Sequence, residues 1–179
     1  MTQIAPQYAQ ALYELARDEN LSEQLLSQLR VLSEAFDREP DFLRLLASPN
    51  VSKQERCALL DDSFRQKLHP YLVNFLKLLT REGIIRHFPD CCKHFERSYY
   101  EDNGILPVLA YTAQPLREDQ SRRLTERIEE ITGKRVILEN RVDPACLGGI
   151  RLCYDGKQID GTLQSRLENM GKLLKNTVL

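Results

Sequence analysis

His87, Cys91 and His94 stand at i, i+4 and i+7, so on a helix they share one face, and imidazole and thiolate are ligand types that zinc prefers. A fourth ligand would have to come from elsewhere in the chain. The plainer reading is two surface histidines beside small apolar cysteines, because a free cysteine commonly packs as a small hydrophobe. Neighbouring Cys91 and Cys92 point in different directions on a helix, which puts a disulfide between them under strain. The five cysteines (Cys57, Cys91, Cys92, Cys146 and Cys153) are odd in number and form no CxxC pair. A disulfide framework is therefore not expected, and a reducing compartment fits better.

Phosphate chemistry fares no better. Gly133-Lys134 has the Gly-Lys pair near the end of a phosphate-binding loop, but that loop needs glycine where this chain has Ile128 and a hydroxyl residue where it has Arg135. Gly148-Gly149 lies between Pro144 and an expected strand, the wrong context for a dinucleotide fingerprint, so it reads as a tight turn or a close backbone approach. His69 has no evident Ser or Cys partner, and nothing resembles a nucleophile elbow. The paired carboxylates Asp61-Asp62 and Glu129-Glu130 fall on polar helix faces, where such groups are normally solvated. The residues thus point to no catalytic site, no metal and no cofactor.

Composition narrows the class further. Across 179 residues, 25 Lys+Arg balance 26 Asp+Glu, which argues against a polybasic nucleic-acid or lipid binder. An apolar share of 42% is too high for intrinsic disorder and ordinary for a globular chain. No apolar run approaches the ~20 residues of a membrane span. Met1 to Gln10 lacks a basic start followed by an apolar core, so a soluble, cytosolic or already processed chain is expected. Zero Trp and only 8 Gly disfavour all-β repeat architectures.

The elements that would carry these residues change character near Asn103. Up to about Tyr100 the apolar residues recur at helical spacing, first in Ile4, Tyr8, Ala11, Leu12, Leu15 and Ala16, then in Leu21, Leu25, Leu29, Leu32 and Phe36. Asn20 with Glu23 reads as the capping box of the second helix, which stops before Pro40. A short helix over Asp41 to Ala47 and a fourth from the Ser52/Glu55 capping box to about Asp62 follow. Pro70 suits the first turn of a fifth helix carrying Leu72, Phe75, Leu76, Leu78 and Leu79, which Gly83 ends. A sixth begins near His87-Phe88-Pro89 and turns Phe88, Cys92, Phe95 and Tyr99 inward. The first part should be an all-α six-helix bundle, residues 1–104, able to fold alone.

Beyond Gly104, Leu106, Val108 and Ala110 alternate as a strand, and Pro107 marks it as an edge strand. A charged helix from Arg117 to Ile131 follows, with Leu124, Ile128 and Ile131 as its stripe and Gly133 as its stop. Val136 to Val142 and Gly149 to Tyr154 read as strands, Asp155-Gly156 as a two-residue hairpin turn, and Lys157 to Asp160 as the return strand. Leu163, Leu167, Met170 and Leu174 mark a terminal helix. Residues 105–179 are expected to form a small α+β domain with a β-hairpin, giving an α+β fold class. Charge does not assign partners to the two parts, since 13 basic and 16 acidic residues precede residue 105 and 12 and 10 follow.

Certain segments carry a resemblance. Tyr8-Ala9-Gln10-Ala11-Leu12, Asn74-Phe75-Leu76-Lys77-Leu78-Leu79 and Thr112-Ala113-Gln114-Pro115-Leu116 come in order along the chain. More specific is Val142-Asp143-Pro144, then Leu147-Gly148-Gly149-Ile150, a variable strand, Asp160-Gly161-Thr162 and Arg166-Leu167. In order and spacing these resemble the delta subunit family of the F-type ATP synthase, known in mitochondria as the oligomycin-sensitivity conferring protein, over essentially the whole chain. Two departures stand out: Arg81-Glu82-Gly83-Ile84 replaces the family's usual ENGR, and Pro107 is unexpected in the linking strand.

The resemblance implies a non-catalytic stator subunit. It would link the N-terminal helix of an alpha subunit of the catalytic head to the C-terminal region of peripheral stalk subunit b, resisting rotor torque. It further implies a peripheral position on the cytoplasmic face of the bacterial plasma membrane, without insertion and without nucleic acid. The alpha-subunit helix would lie between the first and fifth helices, against Tyr8, Ala11, Leu12, Phe75, Leu78 and Leu79. Asp143, Pro144, Gly148, Gly149 and Asp160 would form the family motif of the C-terminal domain that binds the stalk. Two other classes compete: a metal- or thiol-dependent enzyme at His87, Cys91 and His94 or an exposed cysteine, and a helical adaptor that binds helices elsewhere.

Overall fold

Asn20 closes the first helix instead of opening the second. Helix α1 (Ile4–Asp18) ends with Asn20 in the left-handed region at φ 57°, its N–H on the Arg17 carbonyl at 3.0 Å, while Leu21 N–H reaches the Ala16 carbonyl at 2.7 Å. This pair of bonds is a Schellman closure, which asparagine tolerates because its short polar side chain suits the left-handed conformation. A residue committed to that conformation cannot also adopt the extended backbone of an N-cap. Helix α2 (Ser22–Arg38) accordingly starts from Leu21 with no side-chain cap, and the expected Asn20/Glu23 box is absent.

The computed structural model describes residues 4–163, and the chain divides into two compact units after Tyr99. Of the expected terminal helix, Leu167, Met170 and Leu174 lie outside the described residues. The first unit continues with α3 (Pro40–Leu46), α4 (Lys53–Phe64), α5 (Pro70–Arg81), a 3-10 turn at Ile85–His87 and α6 (Phe88–Asp102), which runs past the division. The starts of α4 and α5 have local causes. Ser52 Oγ accepts from Glu55 N–H at 3.2 Å while Glu55 Oε2 accepts from Ser52 N–H at 3.0 Å, closing the expected capping box. His69 caps α5 through its ring Nδ1, which accepts from Tyr71 N–H at 3.3 Å, and Pro70 takes the first helical position. Gly83, at φ 74°, ends α5 as Asn20 ends α1, with Ile84 N–H on the Leu79 carbonyl at 2.9 Å.

The amphipathic stripes meet in one core that includes Ala16, Leu25, Leu29, Leu60, Leu72, Leu76, Ile85, Phe88 and Phe95. Tyr13 stands edge-on to Phe95 at 5.2 Å between ring centres and Phe36 to Phe88 at 5.1 Å, fixing α1 and α2 to α6. Each such leucine or phenylalanine contributes roughly 1.5–3 kcal/mol by leaving water.

In the second unit β1 (Ile105–Thr112) runs parallel to β2 (Arg135–Val142) through the crossover helix α7 (Glu118–Thr132), and antiparallel to β3 (Ile150–Tyr154), which pairs with β4 (Lys157–Asp160). The sheet order is β2-β1-β3-β4. Ile128 and Leu124 of α7 pack on Leu106, Val108 and Val136. Asp155 and Gly156 both take left-handed φ, 46° and 69°, which is the two-residue turn that matches strand twist.

β1 is thus central, not the edge strand that Pro107 announced. The Gly104 and Thr112 carbonyls accept from Arg135 and Asp143 of the β2 side, so alternation turns the Pro107 nitrogen toward the β3 side. There β3 pairs only with Leu109–Thr112. Proline is tolerated because β1 is an edge locally, beyond the end of antiparallel β3 at Tyr154.

Candidate functional site

The metal-like trio is dispersed by the fold. His87 lies in the 3-10 turn before α6, its Nδ1 3.4 Å from Asp90 Oδ2, Cys91 is only 2% exposed in the core, and His94 is half-buried. Among the described residues no three His, Cys, Asp or Glu side chains are grouped as a metal would require. Burial pushes the Cys91 thiol up to about 11 and the Cys92 thiol up to about 12, the reverse of an activated nucleophile. His69 is occupied as a helix cap.

The C-terminal motif does converge, but on structure. Asp143 Oδ1 accepts from Ala145 N–H at 3.0 Å, holding the 3-10 turn Pro144–Cys146, and Oδ2 takes a 2.7 Å bond from Arg151 Nη2. The Arg151 guanidinium also lies 4.8 Å over the Tyr111 ring. Asp160 Oδ1 accepts from Thr162 N–H at 2.9 Å and from its hydroxyl at 2.7 Å, which lowers the Asp160 pKa. Between these two turns the backbones of Gly148-Gly149 and Gly161-Thr162-Leu163 lie side by side, with Gly161 N–H on the Ile150 carbonyl at 2.9 Å and Leu163 N–H on the Gly148 carbonyl at 3.0 Å. These groups build a joint, and the one thiol in it, Cys146, is buried and pushed up by that burial, the reverse of an activated nucleophile.

Of the residues expected to meet a partner helix, Leu12, Phe75 and Leu79 are buried in the core of the first unit, and Tyr8 is half-buried against it. Ala11 and Leu78 are exposed, Leu78 by 39%. Leu15, assigned by periodicity to the inward stripe, is 41% exposed and shares the outer face of α1 with Tyr8 and Ala11. The first unit therefore presents apolar side chains to solvent on α1 and on α5.

A family model described as the ATP synthase delta (OSCP) subunit matches residues 4–174. The chain belongs to that family. Curated relatives named ATP synthase subunit delta agree across both chains. That of Clostridioides difficile (strain 630) is 30% identical over 98% of this chain and 97% of its own, and that of Gloeobacter violaceus is 35% identical over 94% and 92%. A chain of the Toxoplasma gondii mitochondrial ATP synthase hexamer superposes with a TM-score of 0.74 over 97% of this chain and 98% of its own; at 20% identity this speaks for the fold.

Membership in the delta (OSCP) family makes this a structural, non-catalytic subunit of the F-type ATP synthase, which removes the enzyme reading. Among the described residues no helix is long and apolar enough to cross a membrane.

Sequence reasoning missed two positioning residues. Asn140 donates to the Ala110 carbonyl at 3.0 Å and to Thr112 Oγ1 at 2.8 Å, and accepts from Leu116 N–H at 2.9 Å, so it ties the Thr112–Leu116 segment to β2. Its signal was a polar residue on the inward face of an alternating strand, in register with Ala110. Arg56, 7% exposed, donates to the Leu46 carbonyl at 2.8 Å and places its charge at the end of α3. Its signal was a cation on the apolar side of α4.

Proposed function

We propose that the chain is the torque-bearing joint of a bacterial F-type ATP synthase stator, with the six helices of residues 1–104 as the bundle that holds the N-terminal helix of an alpha subunit and residues 105–179 as the domain that holds the C-terminal region of subunit b. The near full-length family match carries this reading. The two-unit organisation supports it, because a joint between two bodies needs two faces.

On this reading the alpha-subunit helix lies along the outer faces of α1 and α5, with Ala11 allowing close approach and Leu15 and Leu78 burying against its apolar side. Leu12, Phe75 and Leu79 fix the backbone beneath. The Asp143–Arg151 and Gly149–Gly161 contacts stiffen the C-terminal unit, so that load passes to subunit b without local unfolding. The chain sits peripherally at the cytoplasmic face of the membrane through its partners alone.

Reconstitution tests this directly. Membranes and catalytic heads stripped of this chain should recover proton-driven ATP synthesis when the full chain is added back, in proportion to heads rebound. Rebinding of heads without the chain, at the same affinity, would overturn the proposal.

A further inference from the structure

We draw no further inference here: the strongest candidate, the groove of about 250 Å3 between α2 and α6 floored by Leu26, Leu29 and Cys92 and spanned by the Arg30–Glu96 ion pair, carries nothing because nothing in the structure shows what covers it.

Discussion

A Cβ placed on Gly149 would lie 2.5 Å from the carbonyl oxygen of Gly161. Carbon and oxygen cannot approach so closely, and the oxygen belongs to backbone that is itself held by the Gly161 to Ile150 hydrogen bond. Gly149 also has φ +80°, a region that L-residues with a Cβ rarely enter. The paired glycines of the C-terminal motif are therefore a backbone clasp, closing the turn before β3 onto the segment after β4.

Gly149→Ala should cost on the order of 3 kcal/mol, adding backbone strain to overpacking. Gly148→Ala is the internal comparison, since its Cβ meets only the tip of the Leu163 side chain, at 2.8 Å, and that tip can rotate away. Hydrogen exchange of the Ile150–Tyr154 amides should accelerate strongly in the first variant and slightly in the second. Equal protection in both would show that the clasp is loose.

Acid should loosen the same region. The backbone N–H of Thr162, and then its hydroxyl, hold the Asp160 carboxyl below the ordinary carboxylate value, and Ser52 does the same for Glu55. A depressed folded pKa means stability that is fully present above the unfolded value, ~4, and lost as pH falls through the folded one. Thr162→Val removes one donor to Asp160. Its thermal stability should be lower at pH 7 and should fall less steeply below pH 4 than that of the parent chain. An unchanged slope would separate Asp160 from acid stability.

Thiol chemistry should be quiet where the sequence placed its cysteine pair. With Cys91 held near 11 and Cys92 near 12, thiolate is scarce at pH 8, and Cys91 is shielded by the core. A disulfide reagent should modify half-exposed Cys153 first and reach Cys91 only on unfolding. Fast native-state modification of Cys91 would contradict its burial.

Helical and strand periodicity made most elements legible, because a stripe and a cap are local properties. The Ser52/Glu55 box, the Pro70 start, the Gly83 stop and the Asp155-Gly156 turn all follow from the chemistry of one to four residues. Asn20 was misread because asparagine serves both helix starts and helix ends, and only the partner of Leu21 N–H decides between them. Pro107 was misread because edge and centre describe a position along a strand, set by where β3 ends. Ala11, Leu15 and Leu78 belong to periodic stripes whose inner and outer margins differ only in what packs above them. Asn140 and Arg56 stand out locally only as polar groups on apolar faces; their roles depend on partners 10 or more residues away, and no local pattern identifies those partners.

The helical unit should fold alone if cut after α6. A fragment of residues 1–103 keeps the core and the whole of α6, which runs to Asp102, whereas one ending at Tyr99 removes the last turn. Far-ultraviolet circular dichroism should show a cooperative helical melt for the longer fragment and a lower midpoint for the shorter, by roughly 4–8 °C for each kcal/mol lost. A non-cooperative melt of residues 1–103 would make the units interdependent.

Calorimetric titration of the full chain with a synthetic peptide of its cognate alpha-subunit N-terminal helix tests the stator joint most directly. The joint predicts saturable one-to-one binding, weakened by about 2 kcal/mol, or roughly thirtyfold, in Ala11→Arg and in Leu78→Asp. Both residues are exposed, so both variants should melt with the parent. Absence of binding by the folded parent chain, or full affinity retained in both folded variants, would contradict a joint on the outer faces of α1 and α5.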